Sequence, residues 1–253
     1  MRPDFAETDL RGGFPETRAS AVAGAASADH ELRQRSHGTI VAVYWKPAYK
    51  YLRLRWGESH EGAQDLTQEF FARAIEKSFF ERFDPAKARF RTFLRACLDA
   101  LVANERQAQA RIKRGGGAVA LSLDFAGAQE ELERLAAREA SPVEAVFDRE
   151  WVRSLFSVAV DGLRQHYAQA GKPVIYELFA QYDLESGSKV QTYEELGRAF
   201  GLSASTVTNH LAAARREFRR IVLERLREIT SSEEEFREES RALFRQVEPQ
   251  SPS

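Results

Sequence analysis

The chain has 253 residues, of which 43% are hydrophobic and 30% charged, and its formal net charge is −1. These proportions are ordinary for a globular protein, and no apolar run approaches the ~20 residues that a membrane-spanning helix needs. The first residues lack the pattern of a secretory signal peptide because acidic residues interrupt them, so we expect a cytoplasmic protein. Cys97, the single cysteine, excludes an intrachain disulfide and a cysteine-based metal cluster.

Charge is segregated along the chain although the two signs nearly cancel, with 37 basic and 38 acidic residues. Basic residues dominate Phe90–Arg114 and Thr206–Arg227, whereas glutamate dominates the segment after Ser231. Each run taken alone is as typical of a solvated helix face as of a binding surface. Because two basic runs coincide with motifs, the pattern favours local contact with nucleic acid.

The first block of predicted structure consists of helices. Residues 1–38, rich in alanine, glycine, serine and charge, are expected to form a partly disordered extension, with a helix allowed toward His37. Apolar residues then recur at helical spacing through residues 39–114, which we predict to be the first domain. Its helices are predicted at 39–54, 61–77 and 88–111.

A second helical block follows a linker. Three glycines after the first basic run predict a helix end and flexible chain, with a short helix expected at 129–138. Ser141 and Pro142 have the types typical of an N-cap and the first helical position. The predicted boundaries are 115–141 for the linker, 142–230 for the second domain and 231–253 for an acidic extension. The predicted class is therefore all-α, with two helical domains joined by a flexible linker.

A helix-turn-helix is predicted over Thr192–Arg220. Thr192 and Glu195 have the spacing of a capping box, in which each side chain accepts the other residue's backbone N–H. Gly201 falls where such a turn needs a positive φ, and Ser203 can cap the second helix.

The second helix of this motif has one apolar and one polar face. The residues expected to be buried are Val207, Leu211, Ala214, Phe218 and Ile221. The outward face is small at its start and basic at its end, which suits a major groove where asparagine and arginine reach base edges or phosphate. The predicted DNA-binding residues are Ser205, Thr206, Thr208, Asn209, Ala212, Arg215 and Arg216. A helical hairpin that touches no DNA is the alternative, and the capping box, turn glycine and polar face together favour DNA binding.

Two motifs resemble parts of bacterial sigma-70 superfamily factors. The string TYEELGRAFGLSASTVTNHLAAARREFRRIV resembles region 4, the domain that reads the promoter −35 element, although many one-domain regulators share that much. DLTQEFFARAIEK, Asp65–Lys77, resembles the helix with which sigma factors bind the RNA polymerase clamp. Since that partner is a basic coiled coil, the resemblance implies polymerase binding by Asp65, Gln68 and Glu69.

A third motif, FDPAKARFRTFLRACLDALVANERQAQARIKR (Phe83–Arg114), resembles the part of region 2 that opens and reads the −10 element. The resemblance implies a basic surface along the displaced strand and a pocket for an unstacked base. Phe93 stands where the family often has tryptophan. The residues implied in −10 binding are Arg95, Asn104, Arg106, Arg111, Lys113 and Arg114.

The resemblance covers about Thr39–Arg227, and the linker is too short for a third folded sigma domain, which suggests the extracytoplasmic-function type. It implies a transcription initiation factor that is not an enzyme and needs no cofactor or metal. The implied partners are core RNA polymerase, double-stranded promoter DNA and the unpaired −10 strand, and an anti-sigma factor is allowed.

The alternative is a stand-alone helix-turn-helix regulator that binds an operator without polymerase. An enzyme is disfavoured because the sequence shows no metal-ligand cluster, no phosphate-binding glycine motif and no nucleophile paired with a base. Asp65 and Glu69 could form a carboxylate pair, but no partner base accompanies them.

The acidic segment Ser232–Gln246 has a helical pattern. The favoured interpretation is a solubilising segment or a helix that packs on the last domain. The alternative is an arm that binds a partner or covers basic surface in competition with DNA.

Overall fold

The computed structural model describes residues 21–25, 27, 29–76, 79–109, 123–136, 142–185 and 191–247. Within these ranges every regular element is a helix and no strand occurs, which confirms the all-α class. The helices are α1 (Ala21–Gly24), α2 (His30–Trp56), α3 (His60–Glu76), α4 (Phe90–Gln109), α5 (Phe125–Ala136), α6 (Val143–Gln169), α7 (Pro173–Phe179), α8 (Tyr193–Phe200), α9 (Ala204–Ile229) and α10 (Glu233–Val247). None of the helices in these ranges combines the length and apolar character that crossing a membrane requires.

Helix α2 begins before the point that the apolar pattern predicts. The Asp29 carboxylate accepts the backbone N–H groups of Glu31 and Leu32 at 2.9 and 3.2 Å, which is a side-chain N-cap. His37 lies 6% exposed within the first turns of the helix. The helix allowed toward His37 is thus the first part of α2, which starts at His30 because a polar cap and not a run of apolar residues begins it.

The first compact unit comprises residues 1–154 together with 226–253. Its core is aromatic, and the Tyr44 and Phe90 rings of α2 and α4 meet edge to face at 5.5 Å. The first part of α6 also belongs here, since the Phe147 ring packs on that of Tyr51 at 5.8 Å. The predicted domain start at residue 142 thus lies inside this unit, because α6 continues through the division without a break.

The predicted linker contains a helix that packs on α2. The Phe125 ring of α5 lies 5.3 Å from the Trp45 ring and 5.4 Å from the Tyr49 ring. The Tyr49 hydroxyl donates to the Gln129 side-chain oxygen at 2.7 Å. Residues 125–136 are therefore packed where flexible chain was expected, because α5 buries an apolar stripe that contains Ala128 and starts before the short helix predicted at 129–138.

A buried ion-pair cluster joins α5 and α6 to α2. The Lys50 ammonium group is fully buried and lies 2.7 Å from a carboxylate oxygen of Glu131 and 2.7 Å from one of Glu150. Glu150 is itself 1% exposed and also pairs with Arg153. Because a buried ammonium group is costly without counter-charges, the cluster requires all three helices to assemble together.

The acidic segment forms α10, close to the predicted 232–246. The expected packing on the last domain needs correction, because α10 belongs to the first unit. The physical reason is a stripe with helical spacing whose members are buried. These residues are Phe236, Glu239, Ser240 and Leu243.

The second compact unit comprises Leu155–Arg225. Its core packs the later part of α6 against α7 and α9, and Gly162 lies where a Cβ would come 3.1 Å from the Ile221 side chain. Phe218 joins this core through the Phe156 and Phe179 rings at 6.0 and 5.3 Å. Helix α8 and the part of α9 up to Arg225 follow each other in this unit, connected through residues 201–203.

Candidate nucleic-acid interface

Helix α3 has one buried and one outward face. The buried residues are Ala63, Thr67, Phe70, Phe71 and Ala74. At roughly 100° per residue, Asp65, Gln68 and Glu69 fall on the opposite side of the helix, where Asp65 is exposed and the other two are partly exposed. The structure therefore brings the three residues implied in polymerase binding onto one surface, which we name the polar face of α3.

Glu69 is held within the first unit. Its carboxylate pairs with Arg73 one turn later, and Arg73 also contacts Glu105 of α4 at 3.2 Å. Burial raises the pKa of Glu69, and the neighbouring Arg73 guanidinium opposes that rise. Asp65, one turn earlier, presents its carboxylate to solvent.

Three arginines follow one side of α4, and we name Arg91, Arg95 and Arg106 the arginine row. Arg95, implied in −10 binding, lies against the start of α6. Its guanidinium carbon is 5.3 Å from the centre of the Phe147 ring, and a terminal nitrogen is 3.7 Å from an oxygen of Asp148. The structure thus places Arg95 in internal contacts that the sequence pattern does not predict.

Arg106 lies at the other end of the row and remains 51% exposed. Its guanidinium lies over the Trp56 ring at 4.8 Å and donates to the Trp56 carbonyl oxygen and the Glu58 carboxylate at 2.7 and 2.8 Å. The Trp56 indole N–H donates to Asp99 at 2.8 Å. Ring and guanidinium are therefore held in place at an exposed position, as a group that binds a nucleic-acid strand needs to be.

The other residues implied in −10 binding do not lie together with Arg95 and Arg106. Asn104 is exposed on α4, but at roughly 100° per residue it lies on the side away from the arginine row. Phe93 is half-buried in a ring cluster, 5.4 Å from Phe83. Three predicted cations lie outside the described residues: Arg111, Lys113 and Arg114.

Two arginines at the start of α4 were not among the predicted site residues. Arg89 contacts Glu238 and Glu239 of α10 at 2.5 and 2.9 Å, and Arg91 contacts Glu239 at 3.1 Å. The signal that could have found this contact is Glu239, an acidic residue inside the apolar stripe of α10.

In the second unit, the predicted turn is built as expected. The Thr192 hydroxyl accepts the Glu195 N–H at 3.2 Å, and the Glu195 carboxylate accepts the Thr192 N–H at 2.8 Å, so the capping box is present. Gly201 has a φ of +66°, in the left-handed region. A Cβ on Gly197 would lie 2.6 Å from the Leu202 carbonyl oxygen, so this glycine is needed for the close approach of the turn.

Helix α9 begins on the predicted cap. The Thr206 N–H donates to the Ser203 hydroxyl oxygen at 3.1 Å. Of the residues predicted to be buried, Phe218 is partly exposed and the other four are buried. The outward face has exposed and partly exposed residues. The exposed ones are Ser205, Thr208, Asn209, Arg215 and Arg216, and the partly exposed ones are Thr206 and Ala212.

Arg215 and Arg216 differ in their surroundings. Arg215 makes a two-pronged contact with Asp183, at 2.8 Å from Nη2 to Oδ1 and 3.1 Å from Nε to Oδ2. Its guanidinium also lies 5.4 Å from the centre of the Tyr182 ring. The hydrogen bonds with Asp183 raise the pKa of Arg215. Both side chains are exposed, but Arg215 is also engaged in fixing the turn that follows α7.

Comparison with known proteins gives one family. Residues 43–112 match sigma-70 region 2, less than a third of the chain. Among curated proteins and solved structures, none matches. The matched stretch contains α3 and α4, and with them the polar face of α3 and the arginine row. This stretch of the chain is therefore similar to region 2 of the sigma-70 factors.

Proposed function

We propose that the chain is a sigma factor of the extracytoplasmic-function type that binds core RNA polymerase and directs it to promoter DNA. The first unit would contact polymerase and the −10 element, and α9 would contact the −35 element. The observation that carries the proposal is the polar face of α3, which lies outward within the segment that matches region 2.

The polar face suits a basic protein partner. Asp65 offers an exposed carboxylate, Gln68 an amide and Glu69 a second carboxylate that Arg73 holds in place. Acidic groups on a helix surface attract a basic partner over several ångströms and fix its orientation on contact. Because the opposite face is buried in the core, the helix can present this surface without losing its own packing.

The proposed −10 contact depends on Arg106 and the rings near it. An exposed guanidinium over an indole ring offers a cation to phosphate and a flat surface to a base. The partly exposed Phe93 ring lies on the same helix, but at roughly 100° per residue it falls on a different side from Arg106. Arg106 and the Trp56 ring therefore support binding of an unpaired strand at one point of the helix.

The proposed −35 contact depends on the outward face of α9. Its first turns carry small hydroxyl side chains and Asn209, and Arg216 follows further along. Small residues allow close approach to the groove floor, while asparagine and arginine can pair with adenine and guanine edges.

The test is binding to purified core RNA polymerase, with Asp65→Ala/Gln68→Ala as the variant. We expect its affinity for core polymerase to fall by about tenfold or more, because a charge and a hydrogen-bonding group leave the interface. Asp161→Ala/Gln165→Ala is a matched control, since it removes an exposed acid and an exposed amide from a helix of the second unit. Unchanged affinity in the α3 variant would show that polymerase is bound elsewhere.

Transcript mapping with core polymerase then separates this function from that of a stand-alone regulator. A sigma factor directs initiation from a defined start, whereas a stand-alone regulator shifts an operator fragment in a gel equally well without polymerase.

A further inference from the structure

The acidic helix α10 is joined to the start of α4 by charged contacts within the first unit. Glu239 is 5% exposed and reaches both arginines, at 2.9 Å from Arg89 and 3.1 Å from Arg91. Glu238, beside it, reaches Arg89 at 2.5 Å. Two carboxylates thus face two guanidinium groups, those of Arg91 at one end of the arginine row and of Arg89 just before α4.

Apolar contacts seat α10 in this position. Phe236 and Leu243 are both 2% exposed and lie on the same side of α10 as Glu239. The Arg227 guanidinium lies 4.1 Å from the centre of the Phe236 ring. The carboxylates of α10 are therefore held against the arginines by packing as well as by charge.

The arginines themselves are arranged to receive an anion. The Arg91 guanidinium lies 5.0 Å from the centre of the Trp151 ring and 3.6 Å from Asp148, so its plane is held by a ring and by an acid on its flank. A carboxylate and a phosphate bind a guanidinium through the same pair of N–H donors. A site filled by Glu238 and Glu239 is therefore also shaped for the phosphates of a nucleic-acid strand.

Docking of α10 removes the Glu239 carboxylate from water. Burial raises the pKa of this carboxyl, Arg91 and Arg89 lower it, and Glu235 and Asp148 raise it. Removing a charge from water can cost more than a close pair returns. A strand that brings several phosphates and remains partly hydrated avoids part of this cost, which favours its exchange with α10 on the arginines.

We propose that α10 is an internal competitor of nucleic acid, whose Glu238 and Glu239 occupy Arg89 and Arg91 until promoter phosphates replace them. The inference rests on the proposed promoter-binding function and adds its regulation. Arg89 and Arg91 become phosphate-binding residues of the first unit, and DNA and α10 exclude each other there.

The test compares the full chain with Glu238→Ala/Glu239→Ala. The probe is a fluorescein-labelled single-stranded oligodeoxynucleotide of mixed sequence, about 20 nucleotides long, followed by fluorescence anisotropy over a range of salt concentrations. We expect about three- to tenfold tighter binding, and a plot of log affinity against log salt that steepens by about 1.4, the value for two more phosphates on a single strand.

Two further variants show whether the freed arginines cause the tighter oligonucleotide binding. Glu234→Ala/Glu177→Ala changes net charge equally at two exposed positions and should leave both affinity and slope as in the unaltered chain. Arg89→Ala, added to the Glu238→Ala/Glu239→Ala variant, should remove about half of the gain in slope, because one of the two phosphate contacts is lost. An equal gain in the charge-matched control would mean that overall charge is responsible and would overturn the inference.

Amide hydrogen exchange measures the displacement directly. Because competition is reciprocal, saturating oligonucleotide should increase exchange in α10 of the unaltered chain, and unchanged protection would overturn the inference. If the unaltered chain binds the oligonucleotide but the glutamate variant gains nothing, inhibition is wrong and promoter binding stands. If no variant binds it, even with core polymerase present, the proposed function fails and the inference fails with it.

Discussion

Adjacent arginines on α9 have different surroundings, although the side chains of both are exposed. Arg215 is bound by Asp183 and lies over the Tyr182 ring. The sequence prediction includes both residues in the DNA-binding set without distinguishing them. Only the packing of the segment after α7 shows which of them is available to a base.

Arg216→Ala is predicted to weaken binding to a duplex with the −35 element by about 1–3 kcal/mol and to relax specificity at one base pair. Arg215→Ala should instead lower the stability of the second unit by at most about 1 kcal/mol, as for an exposed ion pair, and weaken all duplexes alike. The measurement is binding to a set of duplexes with single base-pair changes. Equal loss of specificity in both variants would contradict this division.

The buried Lys50 is expected to dominate the stability of the first unit. Lys50→Ala leaves Glu131 and the fully buried Glu150 without their shared counter-charge, so we predict a loss of about 3–5 kcal/mol in the free energy of unfolding. Lys46 also pairs with Glu131, at 2.9 Å, but is partly exposed, and Lys46→Ala should cost only about 0–1 kcal/mol. Urea denaturation followed by circular dichroism compares the two variants. Similar losses in the free energy of unfolding would contradict the dominant role assigned to Lys50.

At the scale of elements, a close backbone contact constrains the turn between α8 and α9. A Cβ at position 197 would meet the Leu202 carbonyl at 2.6 Å, and a backbone atom cannot move aside as a side chain can. Gly197→Ala should therefore destabilise the second unit by about 1–3 kcal/mol, as overpacking does elsewhere.

Gly38→Ala serves as the control for this change. A Cβ there meets nothing within 4 Å, and its position inside α2 predicts no loss, or a gain of at most about 1 kcal/mol. Thermal unfolding of both variants checks the pair. A Gly197→Ala chain as stable as the unaltered one would show that the turn can relax.

The sequence predicts elements well where periodicity and caps coincide. The Thr192 capping box, Gly201 and Ser203 define the α8–α9 connection, and the apolar stripe defines α3 within a residue at each end. The start of α2 is missed because Asp29, a single capping residue, sets it. The packing of α5 is missed because Phe125 finds its ring partners about 80 positions earlier in the chain, and no local pattern reports such a contact.

The candidate site was predictable in part for the same reason. The polar face of α3 follows from helix geometry alone, since Asp65, Gln68 and Glu69 are separated by one turn. Helix geometry does not predict the ion pairing of the arginines, because Arg95 and Arg91 contact acidic residues on α6 and α10. Pairing between residues distant in sequence depends on tertiary packing, which charge runs do not reveal.

At the scale of the whole molecule, stability depends on pH through carboxyl groups that are paired in the fold. Burial would raise the pKa of Glu131, but hydrogen bonds from Lys50 and Lys46 outweigh it and lower the pKa below the ordinary 4.5. A lowered pKa means that the stabilisation is fully present above 4.5 and is lost as pH falls through the folded value.

Glu131→Gln is therefore predicted to be less stable than the unaltered chain at neutral pH, and the difference should shrink in acid. Urea denaturation at a series of pH values checks this, with Glu130→Gln as control, because Glu130 is exposed and pairs only one turn along its own helix. A difference that stays constant down to pH 3 would contradict the assigned pairing.

The long separation between Arg89 and its acidic partner has a consequence for synthesis. Glu239 lies 150 positions after Arg89, and a ribosome adds residues at about 5–20 per second, so about 8–30 s pass between the two. During that interval the growing chain contains α4, but not yet the glutamates of α10 that pair with Arg89 and Arg91. In a newly made chain, Arg89 and Arg91 would thus be accessible to nucleic acid before α10 is synthesised. Glu238 and Glu239 would pair with them only afterwards.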